Sequence, residues 1–188
     1  IVLNPKYVEA LTWRGDIKAD LGEHDGALKD FARAIQLKPK YWNAYCSRAD
    51  MNRDLGRLEE ALKDYNEVLM YEPENWRALS ARGFTHHLAG DHTSADIDYQ
   101  EAIKADPSDT LTCIRRILLL TTSAQPRTRN LAAADRLLER VVKMAPDEAE
   151  TNAAKACVLA LQGEYEAAIE AQKEALKEKA YAEDDTLI

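Results

Sequence analysis

The chain has no run of 18 apolar residues, so no segment can cross a bilayer as a helix and direct membrane insertion is not expected. Basic residues are in the minority: 25 Lys and Arg stand against 33 Asp and Glu, a net charge of −8. Phosphate recognition needs clustered Lys and Arg, so no nucleic-acid partner is expected. Cysteine is scarce and odd in number. Cys46, Cys113 and Cys157 lie far apart, which excludes a disulfide framework and zinc-finger spacing. They read as free, largely buried thiols, which suit a reducing compartment. The compartment is otherwise left open, with the cytoplasm slightly favoured. There is no Gly-rich phosphate loop, HExxH, GxSxG or catalytic carboxylate pair, so neither a cofactor nor an enzymatic activity is expected. Histidine is rare too. His86 and His87 are neighbours and point about 100° apart on a helix, so they cannot chelate as an i, i+4 pair. His87, Asp91 and His92 are the nearest approach to a ligand cluster. Solvated turn and groove histidines are the simpler reading, and no metal is expected.

The few prolines and glycines fall at regular intervals. Pro39, Pro73 and Pro107 lie 34 residues apart. The windows Val8–Tyr41, Trp42–Asn75 and Trp76–Asp109 superimpose residue by residue. Arg14, Arg48 and Arg82 share one column; Gly22, Gly56 and Gly90 another; Ala27, Ala61 and Ala95 a third. Phe31, Tyr65 and Tyr99 form an aromatic column, preceded by Asp30, Asp64 and Asp98. A fixed period of this size signals stacked supersecondary units. Each window holds two apolar-periodic stretches of about three turns around the glycine, which can cap the first helix in the left-handed conformation. Small residues at Gly15, Ala49 and Gly83, opposite Ala27, Ala61 and Ala95, let the two helices approach closely. The proline ends the second helix.

These columns resemble the tetratricopeptide repeat, a helix–turn–helix unit of 34 residues, over nearly the whole chain. The resemblance implies an all-α, right-handed solenoid of stacked hairpins. Residues 1–7 read as the tail of a preceding repeat, since Pro5 precedes Pro39 by the same period, and the chain is expected to be part of a longer array. Repeats one to three are 8–41, 42–75 and 76–109. Repeat four, 110–148, diverges: its glycine turn is replaced by an inserted loop, 123–130, expected to be mobile. Repeat five, 149–182, ends in a helix read as the C-terminal cap, with Tyr165, Ala168, Ile169, Ala175 and Leu176 on its inner face. Residues 183–188 form an acidic tail, and all of it is read as one solenoid domain.

Equal distances from the turn pair the Arg and Asp columns. Arg14 with Asp30, Arg48 with Asp64 and Arg82 with Asp98 are expected to be structural salt bridges. Arg116 continues the column, but Leu137 stands where its Asp should be, so it is expected to be free for another role.

In the tetratricopeptide family the first helices of the repeats line a concave groove for a partner peptide or helix. Carried onto this sequence, the groove columns give Glu9, Asp16, Asp20, Asp50, Asp54, Phe84, His87, Leu111, Ile114 and Leu118. The first half is acidic and the second apolar, so the expected partner is a protein or peptide with a basic and an apolar segment. The subclass that grips chaperone C-terminal carboxylates is disfavoured, because Thr12, Asp16, Cys46 and Asp50 occupy its basic columns. The RNA-binding 35-residue repeat disagrees in both period and charge. The expected function is a non-catalytic protein–protein interaction scaffold. Two alternatives are a self-assembly module, giving a homo-oligomer, and a regulatory repeat segment of a larger multidomain enzyme.

Overall fold

The computed structural model describes residues 5–146 and 148–184, with the side chains of residues 5, 6 and 178–184 left aside. The readings placed on residues 1–4 and 185–188 lie outside the described residues. The described residues form ten helices joined by short turns and one longer loop, with no strand among them. They divide into two units, one ending at Ala89 and the other starting at Gly90.

The first unit contains α1 (Pro5–Asp20), α2 (His24–Leu37), α3 (Trp42–Asp54), α4 (Leu58–Tyr71) and α5 (Trp76–Leu88). Pro5 lies at the start of α1. That position suits it, because the first helical N–H has no partner within the helix and the ring presets φ. α1 packs on α2 and α3 on α4, and each hairpin stacks on the next. Gly22 and Gly56 have φ of 76° and 73°, the left-handed conformation that glycine reaches without steric cost. There the Glu23 and Arg57 N–H groups donate to the Lys18 and Asn52 carbonyls, each at 2.8 Å, closing both helix ends.

The core of this unit is built from the small and aromatic columns. Ala27, Phe31, Ala61 and Tyr65 are all fully or almost fully buried. Phe31 lies so close to Gly15 that a Cβ there would be 2.5 Å from the ring's Cε1. Buried carboxylates need partners. Asp30 accepts from Arg14 Nε at 2.7 Å and from Lys18 Nζ at 2.8 Å. Asp64 accepts from Arg48 Nε at 2.8 Å and NH2 at 2.7 Å, a two-pronged contact that fixes the guanidinium plane. Lys18 as a second partner of Asp30 was not foreseen. Arg82 donates to Asn66 Oδ1 at 2.7 Å. Asp98 belongs to the second unit, so its pairing with Arg82 stays an expectation.

The second unit contains α6 (His92–Ala105), α7 (Thr110–Thr122), α8 (Leu131–Met144), α9 (Ala149–Gln162) and α10 (Tyr165–Asp184). Asp91, Asp109 and Asn130 cap α6, α7 and α8, accepting from Ser94, Thr112 and Ala133 N–H groups. α7 is covered by α6, α8 and α9, and its residues dominate one cluster: Cys113, Ile114, Ile117 and Leu120 with Ile103, Leu138, Val141, Ala154 and Val158.

Three expectations change here. Arg116 is not free: its Nε donates to Asp96 Oδ1 at 2.8 Å, reaching back to α6 where its own hairpin offers only Leu137. Residues 123–130 form a loop, but it is fastened. Gln125 Nε2 donates to the Gly90 carbonyl at 3.0 Å, Thr93 Oγ1 to Gln125 Oε1 at 3.2 Å, and Ser123 Oγ lies 2.6 Å from His92 Nδ1. Arg129 donates to the Ser123 carbonyl at 2.9 Å, so these polar bonds replace the missing glycine turn. The apolar residues of α10 do not share one inner face. Ala168, Ala171 and Ala175 face inward, while Tyr165, Ile169 and Leu176 are exposed, because the small residues seat α10 on α9 and turn the large ones outward.

Two measurements probe this packing. Gly15→Ala adds about 1 kcal/mol of helix propensity, yet it must displace the Phe31 ring, and overpacking costs typically about 1–3 kcal/mol. A net loss in urea midpoint is expected; a gain would show that the ring yields freely. The second concerns Asp30, whose pKa the Arg14 hydrogen bond lowers to about 2 from 3.8, with burial opposing and Lys18 assisting. The ionised pair therefore contributes its full stability above about pH 4 and loses it as pH falls through about 2. Asp30→Asn should lower the urea midpoint at pH 7, and the gap to wild type should close between pH 4 and pH 2.

Candidate functional site: the acidic face of the first unit

α1, α3 and α5 are neighbours along one side of the first unit, α3 touching both of the others. These alternate helices of the first unit therefore contribute to a common face. Glu9, Asp16, Asp50, Phe84 and His87 are half-buried on it, and Asp20 and Asp54 are exposed. Thr12 and Ser80, in the same columns, are buried, and the Thr12 hydroxyl donates to the Val8 carbonyl at 3.1 Å.

The polar centre of the face is Asp50. Its Oδ1 accepts from Tyr65 Oη at 2.6 Å and from Arg53 NH1 at 2.5 Å. Arg53 NH2 also bonds Asp54 Oδ1 at 3.0 Å, and its guanidinium lies 5.5 Å from the centre of the Phe84 ring. One cation therefore joins two carboxylates and an aromatic face. Asp16 occupies the equivalent place on α1, but the aromatic of that hairpin is Phe31, which has no hydroxyl to donate. Burial raises the Asp16 carboxyl above its ordinary value; the Ser47 hydroxyl donates to it and opposes the shift, while Asp20 and Asp50 add to it. Burial, reinforced by Asp50, pushes the Cys46 thiol up to about 12, so it stays protonated and unreactive. Burial raises the Tyr65 phenol as well, which keeps it a donor to Asp50.

The apolar half of the expected groove is different. Ile114 is not available to a ligand: it is 3% exposed in the core between α7 and its neighbours. α9 stacks directly on α7, and that contact was invisible to a column-by-column reading. Leu118 packs against the same cluster, and Leu111 is exposed. All three lie in the second unit. Sequence reasoning missed Tyr65 and Ser47 as parts of the site, whereas Arg53 already falls in a groove column. The Phe31-to-Tyr65 change, paired with Asp16 and Asp50 in one column, was the available signal. Among the described residues, no group of three or more His, Cys, Asp or Glu is arranged to hold a metal ion, and no helix is long and apolar enough to cross a membrane.

Models of the tetratricopeptide repeat match residues 8–41, 77–109 and 127–184, and a model described as TPR repeat matches residues 49–90. The chain belongs to the tetratricopeptide repeat family. No curated protein matches the sequence. Solved structures share the fold at low identity. MamA is 15% identical, with 90% of this chain and 96% of that one covered and a TM-score of 0.72. PilF of Pseudomonas aeruginosa is 17% identical, with 92% and 76% covered and a TM-score of 0.77. YrrB, described as a tetratricopeptide protein with an unusual peptide-binding site, is 17% identical, with 89% and 84% covered and a TM-score of 0.66.

The shifted carboxyl of Asp16 has a measurable consequence. A raised value in the fold means that ionising the group opposes folding, so at neutral pH the charge destabilises the native state. Asp16→Asn removes that charge and can still accept from Ser47. Its urea midpoint at pH 7 should exceed that of wild type; a lower midpoint would mean that the Ser47 bond outweighs desolvation.

Proposed function

We propose that this tetratricopeptide protein is a non-catalytic interaction scaffold that holds a cationic partner segment on the face formed by α1, α3 and α5. The tetratricopeptide fold supports a protein–protein interaction role in general. The observation that carries the finer reading is the unbalanced charge at Asp16. Its carboxylate is partly desolvated beside Asp20 and Asp50, and Arg53 is engaged with Asp50 and Asp54. A Lys or Arg brought by a partner relieves that repulsion without rearranging the scaffold, so little ordering has to precede binding. Phe84, half-buried under Arg53, supplies the apolar contact beside it. The peptide-binding site of YrrB is a precedent for such a role on this fold.

The apolar segment of the partner is assigned to Phe84 alone, since Ile114 is core. Exposed carboxylates steer encounter, and their effect fades as the screening length drops to about 10 Å near 0.1 M salt. The test is a titration of a fluorescent peptide carrying two Arg and one Leu, against its Glu-for-Arg counterpart, at low and high salt. The basic peptide should bind and the acidic one should not. Asp16→Asn combined with Asp54→Asn should weaken binding about tenfold, equivalent to about 1.4 kcal/mol. Equal binding by the variant and wild type would move the site off this face.

A further inference from the structure

The first two hairpins differ at two linked positions. In the first, Lys18 reaches from α1 to α2, and its Nζ donates to Asp30 Oδ2 at 2.8 Å, beside the Arg14 Nε bond to the same oxygen at 2.7 Å. The lysine stem runs close over Gly26: a Cβ there would lie 3.2 Å from Lys18 Cδ. One period later the sequence has Asn52 for Lys18 and Glu60 for Gly26, while Arg48 and Asp64 keep their columns. Arg48 holds Asp64 through Nε and NH2 as before. Among the described residues, it is the only cation bonded to that carboxylate. The second hairpin therefore lacks the ammonium that the first supplies from its own chain.

A crevice of about 390 Å³ lies at this place. α2 and α4 each pack on α3, and the crevice runs between them. Leu28 and Ala32 of α2 form an apolar wall, Glu60 and Asp64 of α4 bring two carboxylates, and α3 contributes Asn52. Asn52 is 7% exposed, yet its carboxamide makes no hydrogen bond among the described residues. Buried polar groups need a partner, and one left without it costs the fold its desolvation. Lys63, at the same crevice, does not take the Lys18 role. It is exposed, as is Lys29, its counterpart in the first hairpin, where Lys18 makes the bond instead.

We infer that this crevice takes a lysine side chain of a partner protein, its ammonium standing where the Lys18 ammonium stands in the first hairpin. There it donates to Asp64 Oδ2 and to the Asn52 carboxamide oxygen, with the Glu60 carboxylate at the entrance. Its methylenes lie along Leu28 and Ala32, as a lysine stem does on an apolar surface. An ammonium has three donors on one compact atom and can meet three oxygens at once. An arginine would bring a broad planar fork into a place shaped for a single nitrogen. An anionic ligand would meet Glu60 and Asp64. The crevice shares no residue with the acidic face of α1, α3 and α5, so the two sites stand or fall separately.

The test is an amide NMR titration of the nitrogen-labelled 188-residue chain. The probes are n-butylammonium, n-butanol, a capped Leu-Lys-Leu peptide and the same peptide with acetyl-lysine. The amine should move the Asn52 side-chain signals and the Glu60 and Asp64 backbone signals, and the alcohol should not. The lysine peptide should bind about tenfold more tightly than the amine, through its flanking contacts, and acetylation should abolish the effect. Asn52→Lys with Glu60→Gly rebuilds the Lys18–Gly26 arrangement, fills the site from within and should abolish the response, with circular dichroism checking the helices. Asn52→Leu removes the acceptor at similar bulk and should weaken binding about tenfold, the scale of a lost hydrogen bond to a charged group. It carries the test if the double variant unfolds. Asp16→Asn with Asp54→Asn should leave these shifts unchanged. No shift at Asn52, an equal response to the alcohol, a peptide no tighter than the amine, or unaltered binding by the Asn52 variants would each overturn the proposal.

Discussion

The close approach of paired helices is the constraint from which the rest of the first unit follows. Phe31 can sit against α1 only because Gly15 has no side chain. That contact sets the spacing of the hairpin and so the height at which Arg14 and Lys18 meet Asp30. Asp30 is buried, and its charge is tolerated because two cations face it. If the helices stood further apart, the carboxylate would be desolvated without its partners, which is the expensive case for a buried charge. The hydrophobic and ionic columns are therefore one device, in which the apolar contact fixes the geometry that the ion pair requires.

The same hairpins separate two kinds of carboxylate. Asp30 and Asp64 lie between helices, where each meets an arginine at matched height. Asp16 and Asp50 lie on the opposite side of the first helices, where neighbouring repeats bring like charges together. Tyr65 and Arg53 moderate this at Asp50, while Asp16 has only the Ser47 hydroxyl. This arrangement keeps the structural charges satisfied and leaves strain on the face formed by α1, α3 and α5. That division explains why neutralising Asp30 and neutralising Asp16 should have opposite effects on stability.

The second unit solves the same packing problem with other means. Without a glycine turn after α7, the chain closes the hairpin through Ser123, Gln125 and Arg129, which bond to each other's backbone and to the start of α6. With Leu137 where the column's Asp would stand on α8, Arg116 takes its partner from α6. With Gln172 in the aromatic column, α10 seats its alanines inward and leaves its larger apolar residues outside. Each departure from the repeat is answered locally, and the last leaves Tyr165, Ile169 and Leu176 exposed among the described residues.

The sequence by itself determined the helical period, the glycine turns, the buried aromatic and alanine columns, and the pairing of Arg14 with Asp30 and of Arg48 with Asp64 at equal distance from a glycine. Those features depend on residues close in sequence or related by a strict repeat, where spacing alone fixes which side chains meet. The tertiary structure decided the rest. Ile114 became core because α9 covers α7; Asp50 gained a phenol because Tyr65 reaches through from α4; Ile169 and Leu176 faced outward because the alanines of α10 could approach α9 more closely. In each case the outcome turned on which neighbour filled a given space, and periodicity carries no record of that.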